Sequence, residues 1–148
     1  MTVKKKPQTS RKIPPPYQSQ LRSRHHILVV EDDEDIRRLN NEVLSSFGYK
    51  VDTAADGAIA WDVLQLNRYD LLVTDNSMPK VSGVELLLKL HAAHIALPVI
   101  LATGTIPTEK LRSHPWLQID ATLLKPYTPE ELLASVRKVL SATDGIIA

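Results

Sequence analysis

The chain has 148 residues, of which 43% are hydrophobic and 24% charged, with a net charge of +1 and no cysteine. This length suffices for one domain with its own core, and the lack of cysteine excludes a disulfide framework and a thiolate metal site. Since there is neither an apolar run of membrane-spanning length nor a signal peptide's apolar core, we expect a cytoplasmic protein without membrane insertion.

The charge is divided unevenly along the chain. Residues 1–24 contain seven basic residues, no acidic one and four prolines, whereas the remainder has 11 basic and 17 acidic residues, a net charge of −6. This segment has almost no bulky apolar residues, and their burial therefore cannot offset the entropy cost of ordering the chain. Residues 1–24 are predicted to be a disordered arm. A solubilising leader is the interpretation we favour; contact of the basic arm with nucleic acid or an acidic partner is the alternative.

From residue 26 onwards, short apolar runs alternate with segments whose apolar residues recur at helical spacing. The predicted order is strand 26–30, helix 36–47, strand 50–54, helix 56–64, strand 71–75, helix 83–91, strand 98–103, a weak helical segment 107–114, strand 121–124 and helix 128–140. Asp56 and Thr128 are the predicted N-caps, and Glu131 completes a capping box with Thr128. The connections are too long for hairpins, which predicts an α/β fold with a parallel sheet covered by helices on both faces.

Polar residues stand at the carboxyl ends of four of these strands. They are Glu31 and Asp32 after the first, Asp75 at the end of the third, Thr103 at the end of the fourth and Lys125 after the fifth. Parallel strands bring these ends to one edge of the sheet, where ligands bind in open α/β folds. Asp75 by itself has a simpler reading, that of a turn-forming residue at the end of a strand.

Together these groups predict a site for a small dianion beside a metal ion. Neighbouring carboxylates raise each other's pKa unless a cation offsets their charge, and Mg²⁺ suits carboxylates combined with phosphate oxygens. The chemistry that such a site supports is attack by the Asp75 carboxylate on phosphorus, which gives an acyl phosphate. Lys125 and the metal would offset charge on the phosphoryl oxygens.

Over residues 25–142 the sequence resembles the receiver domain of two-component response regulators, the CheY-like family. The resemblance is carried by Val29-Val30-Glu31-Asp32, by Asp75 followed by Met78-Pro79 and Gly83, by Ala102-Thr103-Gly104 and by Lys125-Pro126. It implies a flavodoxin-like, doubly wound five-stranded parallel sheet with the strand order 2-1-3-4-5. Residues 143–148 are then expected to form a short C-terminal tail.

The resemblance also implies a role for each site residue. Asp75 would accept the phosphoryl group from a histidine kinase or a phosphotransfer protein, and Lys125 would pair with that group. Thr103 would follow the phosphoryl group and signal its presence. The Mg²⁺ ligands implied by the resemblance are Glu31, Asp32, Asp75 and the backbone carbonyl of Ser77.

The sequence departs from the family pattern at two positions on the expected output face. Thr122 stands where the family usually has an aromatic residue, and Pro115 falls within the expected fourth helix, which it should break. The phosphoryl-transfer residues look complete, whereas the route by which phosphorylation is reported is open.

These observations lead to three hypotheses. The leading one is a single-domain response regulator that catalyses only its own phosphorylation and dephosphorylation and signals by docking or phosphorelay. The alternative is a receiver-like interaction module that no longer depends on phosphorylation. A Mg²⁺-dependent phosphatase of the haloacid dehalogenase type fits poorly, because that type usually has a second Asp where this chain has Ser77.

Overall fold

The computed structural model describes residues 25–147, and the predicted arm of residues 1–24 lies outside the described residues. Strands and helices alternate in the order β1 (His26–Val30), α1 (Glu34–Ser46), β2 (Lys50–Ala54), α2 (Gly57–Leu66), β3 (Leu71–Asp75), α3 (Gly83–Ala92), β4 (Val99–Thr103), α4 (Thr108–Ser113), β5 (Ala121–Leu124) and α5 (Pro129–Ile147). No helix among these residues is long and apolar enough to cross a bilayer.

The five strands form one parallel sheet in the order β2-β1-β3-β4-β5, which confirms the predicted flavodoxin-like topology. The register aligns the carboxyl ends of the central strands, since Asp75 pairs with Ala102 and Thr103 pairs with Leu124. The polar residues that end these strands therefore reach one edge of the sheet together.

Both faces of the sheet are covered by helices. One buried cluster joins the sheet to α1 and α5 and includes Ile27, Val29, Leu44, Leu71, Val73, Leu132 and Val136. A second cluster joins it to α2 and α3 and includes Leu28, Val30, Ala60, Leu64, Leu72, Leu86 and Leu90. Because successive strand residues point to opposite faces and both are buried, the central strands read as continuous apolar runs.

Polar caps fix where the helices begin. Asp56 accepts a hydrogen bond from the backbone N–H of Ile59, and Thr128 exchanges hydrogen bonds with Glu131, so both predicted caps are confirmed. Ser82 and Glu85 form another capping box, which was not predicted, at the start of α3. This box anchors the loop that follows Asp75.

Helix α4 is the shortest and least buried helix of the fold. It spans only Thr108–Ser113, has no side-chain cap and buries none of its residues. Pro115 lies just beyond its end, as the sequence predicts. A proline has no backbone N–H to donate, and its ring clashes with the carbonyl of the preceding helical turn.

The predicted C-terminal boundary needs correction, because residues 143–147 belong to α5 and do not form a separate tail. The apolar periodicity used to predict this helix ends at Leu140, but helical hydrogen bonding continues beyond it. The Thr143 hydroxyl donates to the Val139 carbonyl. The Asp144 carboxylate lies 3.2 Å from His25 Nε2, so the last turns contact the start of β1.

Candidate phosphoryl-transfer site

Three carboxylates meet at the carboxyl edge of the sheet. Glu31 and Asp32 directly follow β1, and Asp75 is the last residue of β3, the neighbouring strand. One oxygen from each lies within 4.8 Å of the others. Glu31 and Asp75 are buried and Asp32 is exposed, so the cluster has a closed side and an open side.

Lys125 brings a cation into the cluster from β5, two strands away. Its Nζ donates to Glu31 Oε1 at 2.8 Å and lies 3.4 Å from Asp75 Oδ2. The Lys125 backbone N–H donates to the Thr103 carbonyl, which extends the β4–β5 ladder by one residue and sets the point from which the side chain reaches across.

Burial dominates the ionisation of the two inner acids. It raises the pKa of Asp75 and that of Glu31 above their usual values, although hydrogen bonds and charge from Lys125 act in the opposite direction. A backbone hydrogen bond from Ser77 also favours the Asp75 carboxylate. The pKa of the Lys125 ammonium is raised by its two acidic neighbours, which outweigh its own burial. The ammonium therefore stays charged beside the acids.

Thr103 lies at the same edge but does not point at the acids. It is buried at the end of β4, and its hydroxyl donates to the Thr105 carbonyl at 2.8 Å. The structure thus brings all five predicted strand-end residues to one edge, with four in direct proximity and Thr103 turned toward its own loop. The contact of Ser77 with Asp75 is through its backbone N–H, so the Ser77 carbonyl as a metal ligand stays a prediction.

The acidic cluster fits a hard divalent cation. Both Glu31 oxygens already have partners, because Oε1 accepts from Lys125 and Oε2 accepts from the Asp33 backbone N–H. The exposed Asp32 therefore offers the more available oxygens, while Asp75 shares its carboxylate with Lys125 and the Ser77 N–H. Mg²⁺ typically takes one or two carboxylates and completes its shell with waters and phosphate oxygens, which matches this donor set.

The loop after Asp75 is held against the start of α3. The Asn76 carbonyl accepts from the Gly83 N–H at 3.0 Å, and Asn76 Oδ1 accepts from the Val84 N–H at 3.0 Å. A Cβ on Gly83 would lie 2.6 Å from the Asp75 carbonyl oxygen, so only glycine allows this approach. The position of Asp75 depends on that contact.

Other polar residues near these strands have structural partners. Asp33 is the N-cap of α1 and accepts from two backbone N–H groups, so the run of acids after β1 begins a helix. His26 is half-buried, and its Nε2 lies 2.8 Å from Asp52 Oδ2 at the opposite edge of the sheet. The Tyr69 hydroxyl donates to the same oxygen. His26 and Tyr69 thus share one carboxylate away from the acidic cluster.

Three residues that contact the site's framework were missed by sequence reasoning. Arg37 Nη1 donates to the Glu31 carbonyl at 2.9 Å, and Asn40 Nδ2 donates to Tyr127 Oη at 2.7 Å. Asn40 lies four residues after Ile36 and four before Leu44. This spacing places it on the apolar face of α1 and could have indicated a buried polar residue with a specific partner.

Comparisons with known proteins agree with this geometry. The family described as "Response regulator receiver domain" matches residues 27–137. Among curated proteins, the chain is 36% identical over 119 residues to "Probable transcriptional regulator ycf27" of Cyanophora paradoxa, covering 80% of this chain and 49% of that protein. It is 36% identical over 117 residues to "Response regulator MprA" of Mycobacterium sp. (strain KMS), covering 79% and 51%. The chain thus spans about half the length of these relatives.

Solved structures show the same fold. The receiver domain of Francisella response regulator 1452 has a TM-score of 0.73 and 29% identity, covering 80% of this chain and 98% of that one. A CheY-like receiver domain protein from Methanospirillum hungatei has a TM-score of 0.76 and 27% identity, covering 82% and 98%. For CheY4 of Vibrio cholerae the values are 0.69 and 30%, covering 78% and 98%.

Proposed function

This chain belongs to the response regulator receiver domain family, and from that premise we propose that it accepts a phosphoryl group on Asp75 in two-component signalling. The single observation that carries the proposal is the position of the Asp75 carboxylate, which lies within 4.8 Å of two further acids and 3.4 Å from the Lys125 ammonium. A buried strand end that merely formed a turn would not need this set of charges.

In the proposed step, an Asp75 carboxylate oxygen attacks the phosphorus of a phosphohistidine on a histidine kinase or phosphotransfer protein. The new O–P bond forms as the P–N bond breaks, and the departing imidazole nitrogen takes up a proton. Lys125 offsets charge on the phosphoryl oxygens from its place between Glu31 and Asp75. A Mg²⁺ ion held by Asp32 and Asp75, with Glu31 and the Ser77 carbonyl as further predicted ligands, would supply additional charge neutralisation.

Thr103 is the proposed reporter of phosphorylation. Its hydroxyl donates to the Thr105 carbonyl in this structure, and a phosphoryl group on the neighbouring strand end would offer a stronger, charged acceptor. Exchange of that hydrogen bond would move residues 104–106, which precede α4. The signal would then leave by docking of another protein or by onward transfer of the phosphoryl group.

The proposal is tested with a small phosphodonor. The protein is incubated with phosphoramidate and Mg²⁺, and its intact mass is measured with and without a chelator. We expect the mass of one phosphoryl group to be added only when Mg²⁺ is present. A chain that binds Mg²⁺ and remains folded but gains no phosphoryl group would contradict the proposal.

One set of observations supports the alternative function, an interaction module that does not depend on phosphorylation. Thr122 is exposed on β5, and α4 is reduced to six residues, so the surface that would report phosphorylation departs from the family pattern. Partner capture by the protein with and without beryllofluoride, a mimic of the phosphoryl group, separates the two functions. Retention independent of beryllofluoride would favour the alternative.

The affinity for Mg²⁺ is expected to fall as the pH falls. Binding requires ionised carboxylates, and burial raises the pKa of Asp75 and of Glu31, so protons compete with the cation at a higher pH than at an exposed pair. Calorimetric titration at several values from about pH 8 to about pH 5 checks this, since exposed carboxylates titrate near pH 4. An affinity that stayed constant throughout that range would contradict the role of the buried acids.

A further inference from the structure

Asn40 is a polar residue in an apolar place. It lies on the face of α1 that packs against the sheet and is only 4% exposed, while its neighbour Leu39 is 48% exposed. Burying an amide costs free energy unless its hydrogen bonds are satisfied, so an apolar side chain would serve better for packing alone. The Asn40 amide has a specific partner, Tyr127 Oη, at 2.7 Å.

Tyr127 belongs to the loop that follows β5, two residues after Lys125. Its ring packs against the cluster between the sheet, α1 and α5, and burial is the main cause of the raised pKa of its hydroxyl, which therefore stays protonated. The hydrogen bond to Asn40 spans 87 residues of sequence and ties this loop to α1.

Two hydrogen bonds hold the chain around Lys125. The backbone N–H of Lys125 donates to the Thr103 carbonyl, and two residues later the Tyr127 hydroxyl accepts from Asn40. The same helix also holds the acid that Lys125 contacts, since Arg37 Nη1 donates to the Glu31 carbonyl. A lysine side chain is long and flexible, so its placement beside two acids depends on how well its backbone is fixed.

We propose that Asn40 and Tyr127 are positioning residues for phosphoryl transfer: their hydrogen bond fixes the β5–α5 loop on α1 and holds the Lys125 ammonium between Glu31 and Asp75. This inference rests on the proposed function of Asp75. Packing of an aromatic ring alone would leave the loop free to slide along the apolar face, whereas a short hydrogen bond between buried groups sets one position.

The test uses Tyr127→Phe, which removes only the hydroxyl, Asn40→Leu, and the double variant. Tyr69→Phe is the control, because the hydroxyl of Tyr69 is also hydrogen-bonded to a side chain, but it donates, to Asp52, and lies at the opposite edge of the sheet, whereas the hydroxyl of Tyr127 accepts from Asn40. For each protein, the rate of labelling by phosphoramidate with Mg²⁺ is measured against donor concentration, and stability is measured by urea unfolding.

We expect Tyr127→Phe to lower the maximal labelling rate roughly tenfold with little change in the half-saturating donor concentration, because small displacements of a charged group are costly in transfer reactions. Tyr69→Phe should leave the rate unchanged. The double variant should regain stability over Asn40→Leu or Tyr127→Phe alone, since no buried polar group is left without a partner, but should stay slow.

Two results would overturn the inference while leaving phosphorylation of Asp75 intact. One is a wild-type rate in Tyr127→Phe. The other is recovery of the wild-type rate together with stability in the double variant, which would make the hydrogen bond a purely structural one. Absence of labelling in the wild-type protein would instead overturn the proposed function, and this inference with it.

Discussion

Asp75→Asn is expected to abolish phosphoryl labelling and leave the fold intact. The amide keeps the shape of the side chain but lacks the nucleophilic carboxylate oxygen, so we expect a loss of at least roughly 10³-fold, below detection by intact mass. Burial disfavours the ionised form of Asp75, and the neutral amide therefore suits the same place. Cooperative urea unfolding of the variant checks that the fold is retained.

Asp62→Asn provides the matched control for this prediction. Asp62 is an exposed residue of α2, so the same change of chemistry occurs on a surface away from the acidic cluster. Its labelling should equal that of the wild-type protein. Labelling that survives in Asp75→Asn at the wild-type level would place the phosphoacceptor on another residue and remove the basis of the proposed function.

Gly83→Ala, which adds a single methyl group beside the site, is expected both to destabilise the fold and to slow labelling. The added Cβ would lie 2.6 Å from the Asp75 carbonyl oxygen, 2.9 Å from Asn76 Cα and 3.1 Å from Leu101 Cδ1. Two of these neighbours are backbone atoms that cannot turn aside, so either α3 or the end of β3 must move. Overpacking of this kind costs about 1–3 kcal/mol of unfolding free energy and should also slow labelling, because Asp75 is displaced.

Gly104→Ala tests whether the effect comes from the contact and not from the loss of a glycine. A Cβ at Gly104 would meet no atom within 4 Å, so its unfolding free energy in urea should stay close to that of the wild-type protein. If Gly83→Ala and Gly104→Ala lowered the unfolding free energy equally, the close approach of α3 to Asp75 would not be the cause of the destabilisation.

Much of the fold follows from local patterns. Apolar runs bounded by polar residues identified all five strands, and the caps at Asp56 and Thr128 marked two helix starts correctly. These patterns succeed because strand burial and helix capping depend on residues close together in sequence. The end of α5 was misplaced because a helix can continue on backbone hydrogen bonds after its apolar face has ended.

The convergence of Glu31, Asp32, Asp75 and Lys125 could also be predicted, because parallel pairing places strand ends at one edge. The family resemblance added the roles of these residues. Contacts between distant side chains were not predictable in the same way. The contact of His26 with Asp52 is an example, because Asp52 lies on another strand and the residues next to His26 in sequence give no sign of the pairing.

By itself, then, the sequence determined the order of strands and helices, the sheet edge that carries the acids, and the family. Only the tertiary structure decided that both oxygens of Glu31 have partners, that Thr103 is turned toward Thr105, and that Asn40 is bonded to Tyr127. The physical reason is that periodicity and capping are local properties of the chain, whereas a hydrogen bond between side chains 87 residues apart exists only once both helix and loop are packed on the sheet.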